Sequence, residues 1–328
     1  MINLCVFIPH FGCKNATFFA LIVGFDCKTR DRDTLLKGAC MHKRKGILPA
    51  AALILALLLG TAAPVWAAER AGDEPVTLSC AEVPLYADGV YIGSGFLTES
   101  VTLVPLRTFT ETMLGTACQV DWDPETETAT LTAEDLVISL AIEDGYLIAN
   151  GRYIYLHGMA YNINGTLMVP VRELARVFGV EVGWDGDDWS VRIDTQALSL
   201  LESGDSFYPE EDLYWLSHVI YSESGNQPLE GMIGVGNVVL NRARDDSGLF
   251  DAGIQGVIFQ PGQFDVVPAG TIYMDPSDKA VAAAKLCLEG YNTVGDAKWF
   301  VNPTIGAAGW FERNTTFAVT IQDHDFYA

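Results

Sequence analysis

Hydrophobic positions follow two different periods along the chain, and the period changes near Pro209. Between residues 76 and 195, apolar and polar residues alternate in short runs such as 128–132, and Asp-Gly or Asn-Gly pairs separate some of these runs. Such alternation is typical of β-strands joined by hairpins. After Pro209 apolar residues recur every three or four positions, which predicts helices. The sequence therefore predicts an α+β protein of two domains, a β-rich module followed by a mainly helical domain with a small β element.

The first module, residues 76–195, contains an internal repeat. "DGVYI" (88–92) returns as "NGRYI" (150–154), "TLVPLRTFTETMLG" (102–115) returns as "TLMVPVRELARVFG" (166–179), and "VDWD" (120–123) returns as "VGWD" (182–185). Each copy predicts a hairpin, a strand, a short helix that a proline opens and a glycine ends, and two further strands.

These repeats resemble the copper amine oxidase N-terminal-like, or stalk-like, domain of secreted bacterial proteins. The resemblance implies a spacer or docking module that contacts the cell wall or another protein. We expect no metal in this module, because His157 is its only histidine and a single histidine rarely binds a metal without partners.

Three helices are predicted in the second half. The first begins at Pro209, before three acidic residues that favour a helix N-terminus, and ends near Gly225. The second spans residues 228–242. The third has Asp275 as its N-cap and ends at Gly290.

The segment "YSESGNQPLEG" (221–231) carries the clearest catalytic candidate, Glu223. This glutamate falls on the same helical stripe as Leu216 and Ile220. An apolar wall disfavours the charged carboxylate and raises its pKa, which suits a general acid for glycosidic cleavage. The same position also suits a buried structural carboxylate that pairs with Arg242 or with a backbone amide. Spacing alone leaves both interpretations open.

Other catalytic patterns are missing from the sequence. It contains no His-Glu-x-x-His zinc motif and no Gly-x-Ser-x-Gly elbow, and no cysteine after residue 68 has a convincing paired histidine. "GMIGVGN" (231–237) lacks the full dinucleotide fingerprint, so its glycines predict close helix packing. We therefore expect neither a cofactor nor a metal.

The N-terminus predicts export. Met41 is followed by a basic run, an apolar run over 47–60 and small residues with a cleavage site after Ala67 or Ala68, which is typical of a secretory signal peptide. We interpret residues 41–68 as the signal peptide. We interpret residues 1–40 as the result of a start codon assigned too far upstream, with translation beginning at Met41, and we expect no structure for them. The protein is then secreted, and it contacts a membrane only if the signal stays uncleaved.

Net charge limits the possible binding partners, and the cysteine positions limit the possible disulfides. After residue 68 the chain has 12 basic and 39 acidic residues, a formal net charge of −27. Such a surface repels nucleic acid and anionic lipid, so both are excluded as partners. A bridge between Cys80 and Cys118 is conceivable after export, whereas the helical spacing of Cys287 with alanines predicts a small buried hydrophobe.

The second half, 209–328 behind a linker at 196–208, resembles the SleB-like family of spore-cortex-lytic and cell wall hydrolases. The resemblance rests on "YSESGNQPLEG", "VVLNR" (238–242), "VIFQPGQF" (257–264), "NP" (302–303) and "HDFY" (324–327). It implies cleavage of peptidoglycan glycan strands on a lysozyme-like fold by one catalytic glutamate, which maps onto Glu223. The chain departs from the family pattern at two places. Position 227 is a glutamine where the family has an acid, and the glycine that the family has before the terminal histidine is replaced around residues 322–323.

Further site residues follow from these motifs. The substrate-binding candidates are Gln263, Phe264, Asn302, Trp310 and His324. Trp299, Phe300, Trp310 and Phe311 suit either stacking on sugar rings or a hydrophobic core.

The chemistry depends on the number of acids in the site. Hydrolysis with inversion requires a second carboxylate, for which Glu230 is the candidate, and transglycosylation requires none. We favour transglycosylation, in which the 6-hydroxyl of muramic acid closes on C1 and leaves a 1,6-anhydro end. The alternatives are a two-acid muramidase-type hydrolase and a wall protein that binds peptidoglycan without turnover. Vegetative wall and spore cortex both remain open as the target.

Overall fold

The computed structural model describes residues 4–6, 77–98, 100–157, 159–163, 165–304 and 308–328. The predicted start and signal peptide (1–68) lie outside these residues, except for a short strand, β1 (Leu4–Val6). Among the described residues, no helix is both long enough and apolar enough to cross a bilayer.

The first module is β-rich and carries two short helices. Its elements are β2 (Thr77–Ala87), β3 (Val90–Thr98), β4 (Val101–Pro105), α1 (Leu106–Leu114), β5 (Gln119–Asp123), β6 (Thr128–Ala133), β7 (Leu136–Ala141), a 3₁₀ turn (Ile142–Asp144), β8 (Tyr146–Ala149), β9 (Arg152–Tyr155), β10 (Tyr161–Ile163), β11 (Thr166–Pro170), α2 (Val171–Val177), β12 (Glu181–Asp185) and β13 (Ser190–Asp194).

The two repeats interlock through their strands. One sheet has the order β10-β11-β4-β3-β2-β13-β12, and a second has the order β5-β6-β7-β8-β9. Strand β4 of the first repeat pairs antiparallel with β11 of the second, with Val104 opposite Val169. Strand β13 of the second repeat pairs parallel with β2 of the first. Phe109 of α1 and Phe178 at the end of α2 lie 5.8 Å apart between ring centroids, so the repeats share one core.

The predicted hairpins are confirmed. Asp88 and Gly89 have φ of 47° and 80°, and Asn150 and Gly151 have φ of 48° and 81°. Two successive residues with positive φ match the twist of paired strands, and Asp-Gly and Asn-Gly adopt this conformation at low cost.

The second half is mainly helical with one small sheet, as predicted. Its elements are a 3₁₀ turn (Gly204–Ser206), α3 (Glu210–Ser224), α4 (Leu229–Ala243), α5 (Gly253–Phe259), α6 (Val266–Ala269), a 3₁₀ turn (Thr271–Tyr273), α7 (Asp278–Leu288), β14 (Trp299–Val301), α8 (Ala308–Asn314), β15 (Phe317–Ile321) and β16 (His324–Tyr327). The sheet is antiparallel in the order β14-β16-β15.

Helix α4 lies at the centre of this half, and its glycines allow close packing. A Cβ on Gly234 would lie 2.8 Å from Phe326, and a Cβ on Gly236 would lie 2.6 Å from Cys287 Sγ. Cys287 is buried, and its Sγ donates to the carbonyl of Ile233 at 3.3 Å. Both predictions, close helix packing at the glycines and a buried Cys287, are confirmed.

Two details differ from the sequence-based expectations. The N-cap of α7 is Ser277 and not Asp275, because the Ser277 hydroxyl accepts from the Ala280 N–H at 3.3 Å and so satisfies a donor of the first turn. Cys118 is a free cysteine, so the conceivable bridge to Cys80 is not formed.

The two halves are joined by a buried ion pair. Arg152 of β9 donates from Nε and Nη2 to the two carboxylate oxygens of Glu289, at 2.7 and 2.8 Å. The Tyr208 hydroxyl and the Tyr153 N–H also donate to Glu289. The Glu289 side chain is 2% exposed and that of Arg152 is 14% exposed, so this carboxylate depends on partners from both halves.

Candidate active site

Glu223 is the penultimate residue of α3, which ends at Ser224 with Gly225 as its C-cap. Leu216 and Ile220 on the same stripe are fully buried, whereas Glu223 is half-buried. The C-terminal end of a helix carries a partial negative charge, which further disfavours an ionised carboxylate. The stripe therefore ends in an acid that is only partly accessible to water.

The electrostatic surroundings of Glu223 keep its proton in place. Burial raises the pKa of Glu223 to about 7, the charge of Asp265 adds to this rise, and the charge of Arg242 opposes it. A carboxyl group with such a pKa is substantially protonated at neutral pH and able to donate.

Arg242, near the end of α4, lies in an apolar cage. Its guanidinium carbon is 5.2 Å from the ring centroid of Phe250 and 5.1 Å from that of Phe264, and its Nε donates to the carbonyl of Lys298 at 2.6 Å. Burial lowers the pKa of Arg242 to about 10, although Glu223 opposes this shift. Its Nη1 is buried and has no hydrogen-bond partner among the described residues.

Glu223 and Arg242 make no direct polar contact with each other in the described part of the chain. Their interaction is electrostatic, without an ion pair or a hydrogen bond. The alternative that Glu223 is a structural partner of Arg242 therefore lacks the contact on which it depends.

Asp265 is a second acid beside Glu223, and the sequence reasoning missed it. It follows the buried Phe264 and precedes α6, and its side chain is exposed. One signal was present, because Asp265 is the only acidic residue between positions 253 and 274. Its nearness to Glu223 arises from the packing of α6 against α3, which no local motif encodes.

Glu230, the expected second acid, lies elsewhere. It is an exposed residue in the first turn of α4. Its charge acts on Tyr155 of the first module, whose pKa is raised to about 12 by burial and then by Glu230. The structure thus brings Asp265, and not Glu230, into the surroundings of Glu223.

Gln227 has a structural role that explains an amide at this position. It is buried, its Nε2 donates to Asp323 at 3.2 Å, and its Oε1 accepts from the Asp323 N–H at 3.4 Å. Lys279 Nζ donates to the Gln227 carbonyl at 3.1 Å. An amide both donates and accepts here, and it joins the loop after Glu223 to the turn before His324.

The C-terminal candidates cluster around the small sheet. His324 is buried on β16, 5.3 Å from the Phe300 ring, and burial lowers its pKa while Asp323 opposes that shift. Its Nδ1 has no hydrogen-bond partner in the described part of the chain. Asn302, just after β14, accepts from the Thr304 N–H at 3.0 Å and so stabilises a turn. Trp310 on α8 is exposed, with its edge toward Phe311.

Gln263 and Phe264 are adjacent in sequence but differ in burial, and they therefore suit different roles. Gln263 is half-buried and its N–H donates to the Gln260 carbonyl at 3.2 Å. Phe264 is buried and forms part of the cage around Arg242, so its ring supports the site from beneath. Among the described residues, no group of three or more His, Cys, Asp or Glu side chains is placed to hold a metal ion.

The arrangement defines an acid-bearing helical domain behind a β-rich repeat module. Residues 226–327 match the family described as Cell Wall Hydrolase, and residues 88–193 match the Copper amine oxidase N-terminal domain. The chain is therefore similar to cell wall hydrolases in its second half and to the copper amine oxidase N-terminal domain in its first. The first match begins three residues after Glu223, so the case for Glu223 rests on its geometry.

Relatives match the second half. The "Spore cortex-lytic enzyme" of Oceanobacillus iheyensis is 35% identical over 103 residues, which is 31% of this chain and 37% of the relative. That of Bacillus subtilis is 32% identical over 103 residues, which is 31% of this chain and 33% of the relative. The chain thus spans about a third of the length of these relatives. The catalytic domain of the germination-specific lytic transglycosylase SleB from Bacillus anthracis is 29% identical, covers 39% of this chain and 100% of its own, and has a TM-score of 0.34.

Proposed function

We propose that this protein is a secreted enzyme that cleaves the glycan strands of peptidoglycan, with Glu223 as general acid. The observation that carries the proposal is the half-buried carboxyl group at the end of α3, whose pKa burial raises to about 7. Cleavage of a glycosidic bond requires an acid that is still protonated near neutral pH. The Cell Wall Hydrolase match supports peptidoglycan as the substrate, and the secretory leader predicted from the sequence supports a site of action in the wall or the spore cortex.

Lytic transglycosylation is a reaction that a single acidic residue can catalyse, because the same carboxyl group gives and then regains the proton. Glu223 gives its proton to the oxygen that links C1 of N-acetylmuramic acid to the next sugar, and the C1–O bond breaks. The 6-hydroxyl of the same muramic residue then bonds to C1, and its proton passes to Glu223. The product carries a 1,6-anhydro ring, no water is consumed, and the acid returns to its starting state.

Arg242 and Asp265 shift the pKa of Glu223 in opposite directions. Asp265 favours the protonated form of Glu223, and Arg242 favours the carboxylate that remains after proton transfer. A positive guanidinium near the newly formed carboxylate lowers the free energy of that intermediate state. The caged Arg242 is held by Lys298 and two rings, so it keeps its position during the reaction.

Asp265 also favours one alternative, a muramidase-type hydrolysis with two acids. Asp265 is an exposed carboxylate whose charge acts on Glu223, and in two-acid hydrolysis one such group activates water while the other protonates the leaving oxygen. The product distinguishes the two reactions, because hydrolysis leaves a reducing end in place of the anhydro ring.

The test compares Glu223→Gln with Glu230→Gln on purified peptidoglycan, with mass spectrometry of the released muropeptides. Glu223→Gln keeps the size and hydrogen bonding of the side chain but removes the transferable proton. We expect a loss of roughly 10²–10⁴-fold, the range for removed acid–base catalysis. Glu230→Gln is the matched control and retains activity, because Glu230 lies apart from the site. An active Glu223→Gln protein would reject Glu223 as the acid.

A further inference from the structure

An exposed aromatic patch is formed by residues of α3 and of the 3₁₀ turn that contacts it. We define the aromatic patch as Tyr214, Trp215, Tyr273 and Met274. Tyr273 is 60% exposed, Met274 is 52% exposed and Tyr214 is 46% exposed. The Trp215 and Tyr273 rings meet edge to face with centroids 6.4 Å apart. Contiguous exposed apolar side chains of this size mark surfaces that bind a partner.

The patch is held rigid from beneath. Ile272, between Thr271 and Tyr273, is fully buried, and the Met274 N–H donates to the Thr271 carbonyl at 3.0 Å. Trp215 packs its edge against Phe259 with ring centroids 4.9 Å apart. Because the rings are fixed before a ligand arrives, binding would cost little conformational entropy.

The aromatic patch is continuous with the candidate active site. Ser222, the residue before Glu223, donates from its hydroxyl to the Thr271 carbonyl at 3.0 Å. Trp215 and Ser222 are seven residues apart and share one side of α3, a separation of about 10 Å along the helix. The surface therefore begins next to Glu223 and extends two helical turns away from it, which is farther than one sugar ring reaches.

We propose that the aromatic patch binds sugar rings of the glycan strand at a distance from the bond that is cleaved. The proposal rests on the proposed function, since it names how the same site holds a long strand. Aromatic faces contact the apolar faces of sugar rings, and the tyrosine hydroxyls supply hydrogen bonds to sugar hydroxyls. Three acids, Glu210, Glu211 and Asp212, open the same helix, so the local charge favours an uncharged polymer over an anionic one.

The experiment uses the full chain with Tyr273→Ala, its rescue Tyr273→Trp, and the matched control Tyr91→Ala. Tyr91 is 57% exposed and lies on β3 of the first module. Substrates are glycan strands separated by length, with and without their stem peptides, and the readout is kcat/KM. We expect the loss from Tyr273→Ala to be about three- to tenfold larger on long strands than on the shortest strand that is cleaved. Tyr273→Trp restores the length dependence, and Tyr91→Ala leaves it unchanged.

A binding measurement separates this proposal from the proposed function. Glu223→Gln, with and without Tyr273→Ala, is titrated with a short and a long β-1,4-linked N-acetylglucosamine oligomer. Weaker binding of the long oligomer in the double variant supports the subsite even if the parent protein turns nothing over. Cleavage by the parent together with an equal effect of Tyr273→Ala on all lengths would overturn the subsite and leave the function standing. A loss confined to strands that retain stem peptides would also overturn it, and would identify a peptide subsite.

Discussion

Glu223 is half-buried and Arg242 is buried, and burial moves each toward its neutral form. The pKa of Glu223 rises to about 7 and that of Arg242 falls to about 10, while each residue partly offsets the shift of the other. Their coupling has a direct kinetic consequence, because a general acid acts only while protonated and activity falls as the pH rises through its pKa.

Arg242→Met removes the charge that holds the pKa of Glu223 down. We expect the alkaline limb of the pH–rate profile to move to higher pH in this variant, because Glu223 keeps its proton longer. Arg242→Lys keeps a positive charge and shifts the limb less. The measurement is the initial rate of muropeptide release across pH. An alkaline limb that stays in place in both variants would show that Arg242 supports only the fold.

Asp265→Asn acts in the opposite direction. Loss of its charge lowers the pKa of Glu223, so the alkaline limb moves to lower pH while transglycosylation continues. If Asp265 instead activates water, the variant loses roughly 10²–10⁴-fold of its rate and the parent enzyme leaves reducing ends. The profile and the product together decide between the two reactions.

The same carboxyl links stability to pH. Its folded pKa of about 7 lies above the ordinary value of 4.5, so the folded state keeps a proton that the unfolded chain loses between these values. The contribution of Glu223 to stability therefore falls as the pH rises through that window and is constant above it. We expect Glu223→Gln to match the parent at about pH 4 and to exceed its free energy of unfolding by about 1–3 kcal/mol at about pH 8. Urea unfolding at the two pH values measures this, and a gain of equal size at both would contradict the raised pKa.

At the scale of one element, the close packing of helix α4 restricts which residues it can contain at its glycine positions. Gly236→Ala places a methyl group 2.6 Å from Cys287 Sγ and 2.8 Å from Ile220 Cδ1, where neither neighbour is free to move. We expect a loss of about 1–3 kcal/mol in the free energy of unfolding. Gly309→Ala on α8 is the control, because its nearest contact is the mobile end of Arg313 at 3.3 Å. Urea unfolding compares the two, and equal effects would show that α4 is not closely packed.

Local patterns predicted most elements, and the deviations have local causes too. Asp-Gly and Asn-Gly located the hairpins, and the acids after Pro209 located the start of α3, because those signals depend on a few neighbouring residues. Asp275 and Ser277 offer the same cap chemistry two positions apart, and only the hydrogen bond to Ala280 decides between them. The partly buried position of Glu223 could be predicted because its stripe is local to α3, and its catalytic role stays a prediction. Asp265 was missed because its approach depends on the packing of α6 against α3, and Glu230 was proposed because it lies near Glu223 in sequence, although it is exposed in the first turn of α4.

At the scale of the whole molecule, the ion pair of Arg152 and Glu289 joins the two halves. A fragment of residues 205–328 is large enough to bury a core of its own, and we expect it to fold and to cleave glycan. It lacks Arg152, so Glu289 loses its charged partner and becomes accessible to water. The fragment should therefore melt below the full chain.

Glu289→Gln tests this junction in both contexts. In the full chain it leaves Arg152 buried without a counter-charge, and we expect a loss of about 3–5 kcal/mol. In the 205–328 fragment the same change should have little effect, since exposed carboxylates contribute little to stability. Thermal and urea unfolding of all four proteins provides the comparison. Equal losses in both contexts would show that the pair does not form in solution.

The parallel pairing of β13 with β2 sets the order in which the first module can fold. These strands are separated by nearly the whole length of both repeats, so the pairing of β2 with β13 cannot form until β13 has been made. Contacts between distant parts of a chain form slowly, because loop closure must precede the pairing that stabilises it. One repeat alone therefore leaves an unpaired edge, and the module folds as a closed pair of repeats that cannot be shortened or extended one copy at a time.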